Sequence, residues 1–228
     1  MHEGHRDRVK KRFRQEGLDH FSDIQALELL LFYGIPRVDT NPIAHALLDR
    51  FGSLSQVLEA SPEELMKVPG VGENAALLLT LIPQMGRFYM VDRSSRVTIL
   101  QTLEQCANFL VPHFFGRKVE TVFILCLDAK CKLLCCKELG EGGPNSTGVS
   151  IRKIVETAIG VNAATVVLAH NHPSGLAVPS AEDIQTTRRI AHALQAVEIT
   201  LADHIIVEDG DYVSIAMSDD RFRDCLLI

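Results

Sequence analysis

The stretch from Val167 to Asp183, VLAHNHPSGLAVPSAED, constrains this chain more than any other. It carries two histidines one residue apart, His170 and His172, then a loop broken by proline and glycine, then Ser180 and Asp183 spaced as S-x-x-D. The apolar run Ala163 to Ala169 before it reads as a buried strand. Side chains at i and i+2 of a strand leave on the same face. His170 and His172 therefore aim at one point, provided the extended geometry persists through Asn171. Two imidazoles and a carboxylate meeting at a strand end form a ligand set that zinc accepts, with a fourth position left for water. Taken alone, Ser180-x-x-Asp183 after Pro179 is equally an ordinary helix N-cap with an acidic third residue. The two readings differ in where the carboxylate points: at backbone N–H groups, or into the cleft beside the histidines.

The chain has 228 residues, 46% hydrophobic and 23% charged, enough for two globular domains with real cores. Its net charge of -6 argues against wholesale nucleic-acid binding, so any DNA contact has to be local. The N-terminal run MHEGHRDRVKKRFRQEG lacks the apolar segment of a signal peptide. No apolar run is long enough to span a bilayer. A cytoplasmic protein with no membrane partner is expected. The six cysteines should then be reduced thiols rather than a disulfide framework.

Residues 1–95 read as a small helical domain. Residues 5–16 form a short basic helix, and Lys10, Lys11 and Arg12 on it could contact phosphates, although most such runs are solvated faces. Ser22 and Asp23 cap a helix that Gly34 ends, Asn41-Pro42 starts a second, and Ser61-Pro62-Glu63-Glu64 a third. The turn Val68-Pro69-Gly70-Val71-Gly72 leads into a long apolar helix that contains Pro83. This turn resembles a helix-hairpin-helix element. The resemblance implies that Gly70 and Gly72 let backbone N–H groups approach a DNA phosphate at the following helix N-terminus. Glu73 in the next position works against a polyanion. Such turns also serve as plain connectors.

Residues 91–100 read as a linker, and residues 96–228 as a second domain in which strands alternate with helices. The expected order is a helix over 101–115, a hairpin of VETVFILCLD and CKLLCCKELG around Ala129-Lys130, and a helix from Val149 to Gly160. The histidine strand, a helix from Ser180, and strands at ITLADHIIVED and YVSIAM complete it. That alternation indicates an α/β or α+β domain with a mixed sheet.

The spacing H-x-H-x7-S-x2-D, filled by His170, His172, Ser180 and Asp183, matches the JAB/MPN (JAMM) metalloprotease motif. With HNHPSG, the downstream DHIIV and the upstream hairpin, the whole chain resembles the bacterial RadC-like family. The resemblance implies an α/β (α+β) cytidine-deaminase-like JAB/MPN domain with a mixed sheet, preceded by a small all-α helix-hairpin-helix domain. It implies one zinc ion on His170, His172 and Asp183, and a glutamate at the start of the first strand. Glu120 occupies that place, fifty residues before His170. Glu138 and Glu141 are its competitors, on or after the returning strand. The implied chemistry is hydrolysis of an amide or isopeptide bond in a protein or peptide. Glu120 would act as general base on a zinc-activated water, and Ser180 would help to stabilise the oxyanion. The family's traditional label as a DNA-repair protein keeps a second reading open, a DNA-associated protein in repair or mobile-element function. An oligomer is compatible with either.

His204 lies in an otherwise apolar strand. It either orients the site from behind the ligands or is simply a buried, hydrogen-bonded histidine. Its neighbour Asp203 faces the other way, and the second reading is preferred. Cys126, Cys131, Cys135 and Cys136 crowd one hairpin without the paired knuckles of a zinc site, and read as free thiols. Where the family is expected to carry a Pro-Arg-Glu run, this chain has Ile151-Arg152-Lys153.

Overall fold

The computed structural model describes residues 3–94, 99–142, 149–173 and 177–218. The chain divides into two compact units, Met1–Gly86 and Arg87–Ile228.

In the first unit, α1 (Glu3–Glu16) and α2 (Asp23–Gly34) form where the charge and apolar spacing indicate. Ser22 and Gln25 make a reciprocal capping box at the start of α2. Then follow α3 (Asn41–Phe51), α4 (Leu54–Glu59), α5 (Pro62–Leu65) and α6, which begins at Glu73. Leu27, Leu31, Leu47, Val57, Leu65 and Leu79 are among the residues of one buried apolar cluster. The helix α4 was not expected. Ser53 caps it, and its single buried residue, Val57, docks LSQVLE on that core. α6 continues to Ser94, so residues 91–94 of the expected linker are helical, and residues 95–98 lie outside the described residues.

The second unit contains α7 (Leu103–Leu110), the strands β1 (Thr121–Leu127) and β2 (Leu133–Glu141), and α8 (Ile151–Gly160). After them come β3 (Thr165–Asn171), α9 (Ala181–Gln195), β4 (Thr200–Glu208), β5 (Asp211–Ser214) and α10 (Ile215–Ser218). IAMS, expected to extend the last strand, is this last helical turn. The sheet order is β2-β1-β3-β4-β5, with β3 and β4 parallel and every other pair antiparallel. It is therefore the mixed sheet that the alternation of elements indicates. The α9 crossover supplies the long connection that a parallel pair needs.

Strand alternation sorts the side chains into two cores. Val122, Ile124, Val166, Leu168 and Ile206 pack under α8 and α9 with Ile154, Ile190 and Leu194. Phe123, Leu125, Val167, Ala169 and Ile205 pack under α7 with Phe109 and Leu110. β1 and β3 are buried along almost their full length, which is why both read as continuous apolar runs rather than alternating ones.

All five cysteines among the described residues are free. Burial pushes the Cys106 thiol up from 9.0 to about 11 and the Cys136 thiol to about 12, and raises Cys126 strongly as well. An acid whose folded pKa lies above its unfolded one stabilises the fold below the unfolded value, and loses that contribution as pH rises through the folded value. The urea midpoint should therefore hold up to about pH 9 and fall towards pH 12. A midpoint unchanged across that range would contradict the burial of these thiols.

Candidate metal centre

His170 and Asn171 are the last residues of β3, and His172 follows them. The extended backbone does persist through Asn171, whose Cα pairs with Val207, and the His172 N–H donates to the Val207 carbonyl. Both imidazoles therefore meet. His170 Nε2 lies 2.9 Å from His172 Nε2, with His170 fully buried and the His172 side chain 22% exposed.

Asp183 comes to the same point from the first turn of α9. Its Oδ1 is 3.3 Å from His170 Nε2 and its Oδ2 3.5 Å from His172 Nε2. Oδ2 also accepts the Ser180 N–H (2.8 Å) and the Ser180 hydroxyl (2.6 Å), while the Asp183 N–H donates to Ser180 Oγ (3.0 Å). Asp183 is thus both things that its spacing allows. It closes a capping box at the helix start through Oδ2, which also lies near His172, and turns Oδ1 to His170. Burial alone would raise the carboxyl. The adjoining His170 imidazole and the hydrogen bonds from Ser180 outweigh burial and hold it well below the usual carboxylate range.

Ser180 departs from its expected place in the chemistry. A hydroxyl has one proton to give, and this one is on Asp183 Oδ2. In this geometry Ser180 holds the carboxylate; an oxyanion contact would require that hydrogen bond to break.

Glu120 precedes β1, and its Oε1 is 3.8 Å from His170 Nε2. Glu120, His170 and His172 bring one potential ligand atom each to within 4.8 Å of one another. Glu138, its competitor, pairs instead with Arg117 at 2.7 Å. The Glu120 position is fixed by Asn171, the residue between the two histidines. The Asn171 amide accepts the Thr121 N–H at 2.8 Å and donates to the Val119 carbonyl at 3.3 Å, gripping the chain on either side of Glu120. The antiparallel register, Val122 opposite His170, makes this reach possible.

His204 is fully buried on β4, and its Nε2 lies 2.8 Å from His170 Nδ1. It is buried and hydrogen-bonded, and one of its partners is His170 of the site itself. His170 and Ile206 are Cα partners, and His204, two residues before Ile206, shares their face of the sheet. Burial, then the neighbouring His170, pushes the His204 pKa well below 6.5, so this ring is neutral. Asp203 turns away and accepts from Ser214 Oγ and the Ala216 N–H, pinning β4 to the chain that follows it.

Ligand atoms around a tetrahedral ion with bonds of about 2.0–2.2 Å lie about 3.3–3.6 Å apart; the two Asp183–histidine separations match this, and the 2.9 Å between the two rings is shorter. Two nitrogens and a carboxylate are a donor set that first-row ions accept.

Residues 100–220 match the RadC-like JAB domain family and residues 3–77 the UPF0758 N-terminal family. The chain belongs to the RadC-like JAB family. It is 33% identical over 210 residues to a UPF0758 protein of Paraburkholderia xenovorans, covering 92% of this chain and 83% of that one. It is 32% identical over 219 residues to a UPF0758 protein of Fusobacterium nucleatum, covering 93% and 94%. In this member of the RadC-like JAB family, Ser174 and Gly175 of the HNHPSG string lie outside the described residues.

Gly70 has φ of +89°, and a Cβ there would meet Ile43 Cδ1 at 2.8 Å, so its glycine serves the turn itself. Gly72 faces open space, but Glu73 opens α6 beside it. Arg12 stacks on Phe21 and donates to Glu16, Gln25 and the His20 carbonyl. Lys10 lies over the Tyr33 ring at 5.5 Å, and Lys11 is exposed. Among the described residues, no helix is long and apolar enough to cross a membrane.

Proposed function

We propose that this protein is a zinc-dependent hydrolase of amide or isopeptide bonds in a protein or peptide substrate, with His170, His172 and Asp183 as ligands and Glu120 as general base. The convergence of two imidazole Nε2 atoms and Asp183 within 3.5 Å, with Glu120 Oε1 3.8 Å from His170, carries the reading. Zinc bound there supplies Lewis acidity towards a carbonyl and lowers the pKa of a water to about 7. Glu120, one-third exposed, can take a proton from a water at Oε1 and return it to the departing amine nitrogen. Asn171 keeps that carboxylate at the mouth of the site. Ser180 keeps Asp183 turned towards the histidines. Burial of His170 keeps bulk water off the inner side of the site.

The test separates metal binding from turnover. Zinc-loaded wild type is incubated with a proteome-derived peptide and isopeptide library, and new termini are read by mass spectrometry. Glu120→Gln should hold zinc as wild type does and produce new termini about 10²–10⁴-fold more slowly. A zinc-loaded wild type that produces none, or a Glu120→Gln protein that matches it, would overturn the assignment.

A further inference from the structure

Behind the proposed ligands runs a chain of three hydrogen bonds that starts at one of them and ends on another's backbone. His170 Nδ1 lies 2.8 Å from His204 Nε2, and His204 Nδ1 lies 2.6 Å from Thr187 Oγ1. Thr187 Oγ1 is in turn 2.6 Å from the Asp183 carbonyl oxygen. Asp183 and Thr187 are one turn apart on α9, whereas His170 and His204 come from adjacent strands. His170, Thr187 and His204 are all fully buried, so water does not compete for these bonds.

The direction of the chain follows from its last member. A carbonyl oxygen cannot donate, so the single Thr187 proton lies on the Asp183 carbonyl. Thr187 Oγ1 must then accept, and His204 Nδ1 must carry the proton that it accepts. Above the ordinary imidazole range, where the ring is uncharged, that leaves Nε2 of His204 as a bare lone pair. It can accept only, so His170 Nδ1 carries the proton between the two rings. A neutral His170 with its proton on Nδ1 has its free lone pair on Nε2, the atom that faces His172 and Asp183.

We infer that Thr187 and His204 are positioning residues that set the tautomer of His170 and so present its Nε2 as a metal donor before any metal arrives. The inference rests on the metal-binding reading above and adds to it the reason that one of two ring nitrogens is the ligand. Partners on the far side of a ligating histidine orient the ring and fix its proton, and their loss commonly costs about 10–100-fold in metal affinity. A Thr187→Val protein keeps the volume and loses the hydroxyl. His204 then has no acceptor at Nδ1, and its proton can move to Nε2. There it would donate to His170 Nδ1 and drive the His170 proton onto the ligand atom.

Imidazole ¹⁵N shifts of the metal-free protein read this directly at about pH 8.5, two units above an ordinary imidazole pKa. Wild type should show His170 and His204 protonated at Nδ1 and bare at Nε2. Thr187→Val should shift both towards the other tautomer and lower zinc affinity by about 10–100-fold in a chelator competition. Thr187→Ser should restore the wild-type shifts and affinity, which a packing role for the methyl group would not do. Wild-type His170 bare at Nδ1 would overturn the inference without any variant. So would Thr187→Val binding zinc as tightly as wild type, or Thr187→Ser binding as weakly as Thr187→Val. Wild type that binds no zinc would overturn the metal-binding reading and this inference together.

Discussion

Asp183→Asn should cost about 10²–10³-fold in zinc affinity and lower the stability of the metal-free fold at neutral pH. Structural zinc sites with four protein ligands are worth about 10–16 kcal/mol, or about 3–4 kcal/mol per ligand. At 1.4 kcal/mol per decade, one ligand is about two to three decades. Asparagine keeps an oxygen that can accept the Ser180 N–H, so the helix start survives, but it brings no charge to the histidines. The carboxyl's depressed pKa also fixes the sign of its own contribution. A group held below its unfolded value of 3.8 stabilises the fold above about pH 4 and loses that effect as pH falls through the folded value. The Asp183→Asn protein lacks this term, so its stability should decline less than that of wild type in acid. Zinc titration and urea unfolding of the two proteins check both points. Undiminished zinc affinity in Asp183→Asn would reduce Asp183 to a helix cap.

Leu168→Ala should destabilise the second unit by about 2–5 kcal/mol, the range for truncating a fully buried leucine. Leu168 has no exposed surface, pairs with Ile124 and with His204 on the flanking strands, and sits two residues before His170. That loss is a large part of a stability of about 5–15 kcal/mol. At about 2–4 °C per kcal/mol it should lower Tm by roughly 5–20 °C. If the proposed site takes zinc in the folded state alone, 100 Kd of free zinc should return about 2.7 kcal/mol to both wild type and variant. Differential scanning calorimetry with and without zinc checks this. A loss below about 1 kcal/mol would mean that β3 is not the packed support it appears from its burial.

Much of this architecture could be read along the chain, and the exceptions share a cause. His170, His172 and Asp183 were legible because strand periodicity and the S-x-x-D spacing are local rules. The helix starts at Ser22 and Ser180 were legible because their capping residues act within one turn, and the one at Asn41 because Pro42 suits a first helical turn. Thr187 and Asn171 were not. One reaches back to a backbone carbonyl and across to another strand, and the other grips the backbone of a segment fifty residues away. Neither contact leaves a period or a spacing to find. His204 was visible as a buried polar residue, but its link to His170 depends on the β3–β4 register. Ser180 shows the opposite case. Its motif position was clear, and the capping geometry at that same position occupies the proton that the expected chemistry requires. The helical turn IAMS replaces a strand because Asp203 captures Ser214 Oγ and the Ala216 N–H, drawing the chain out of the sheet.

X-ray absorption at the zinc edge, on wild type dialysed against zinc and then freed of excess, tests the central claim most directly. One zinc per chain with nitrogen and oxygen neighbours alone, at about 2.0–2.2 Å, is the expected result. No retained zinc, or a sulfur shell near about 2.3 Å from the cysteines of the β1–β2 hairpin, would contradict it.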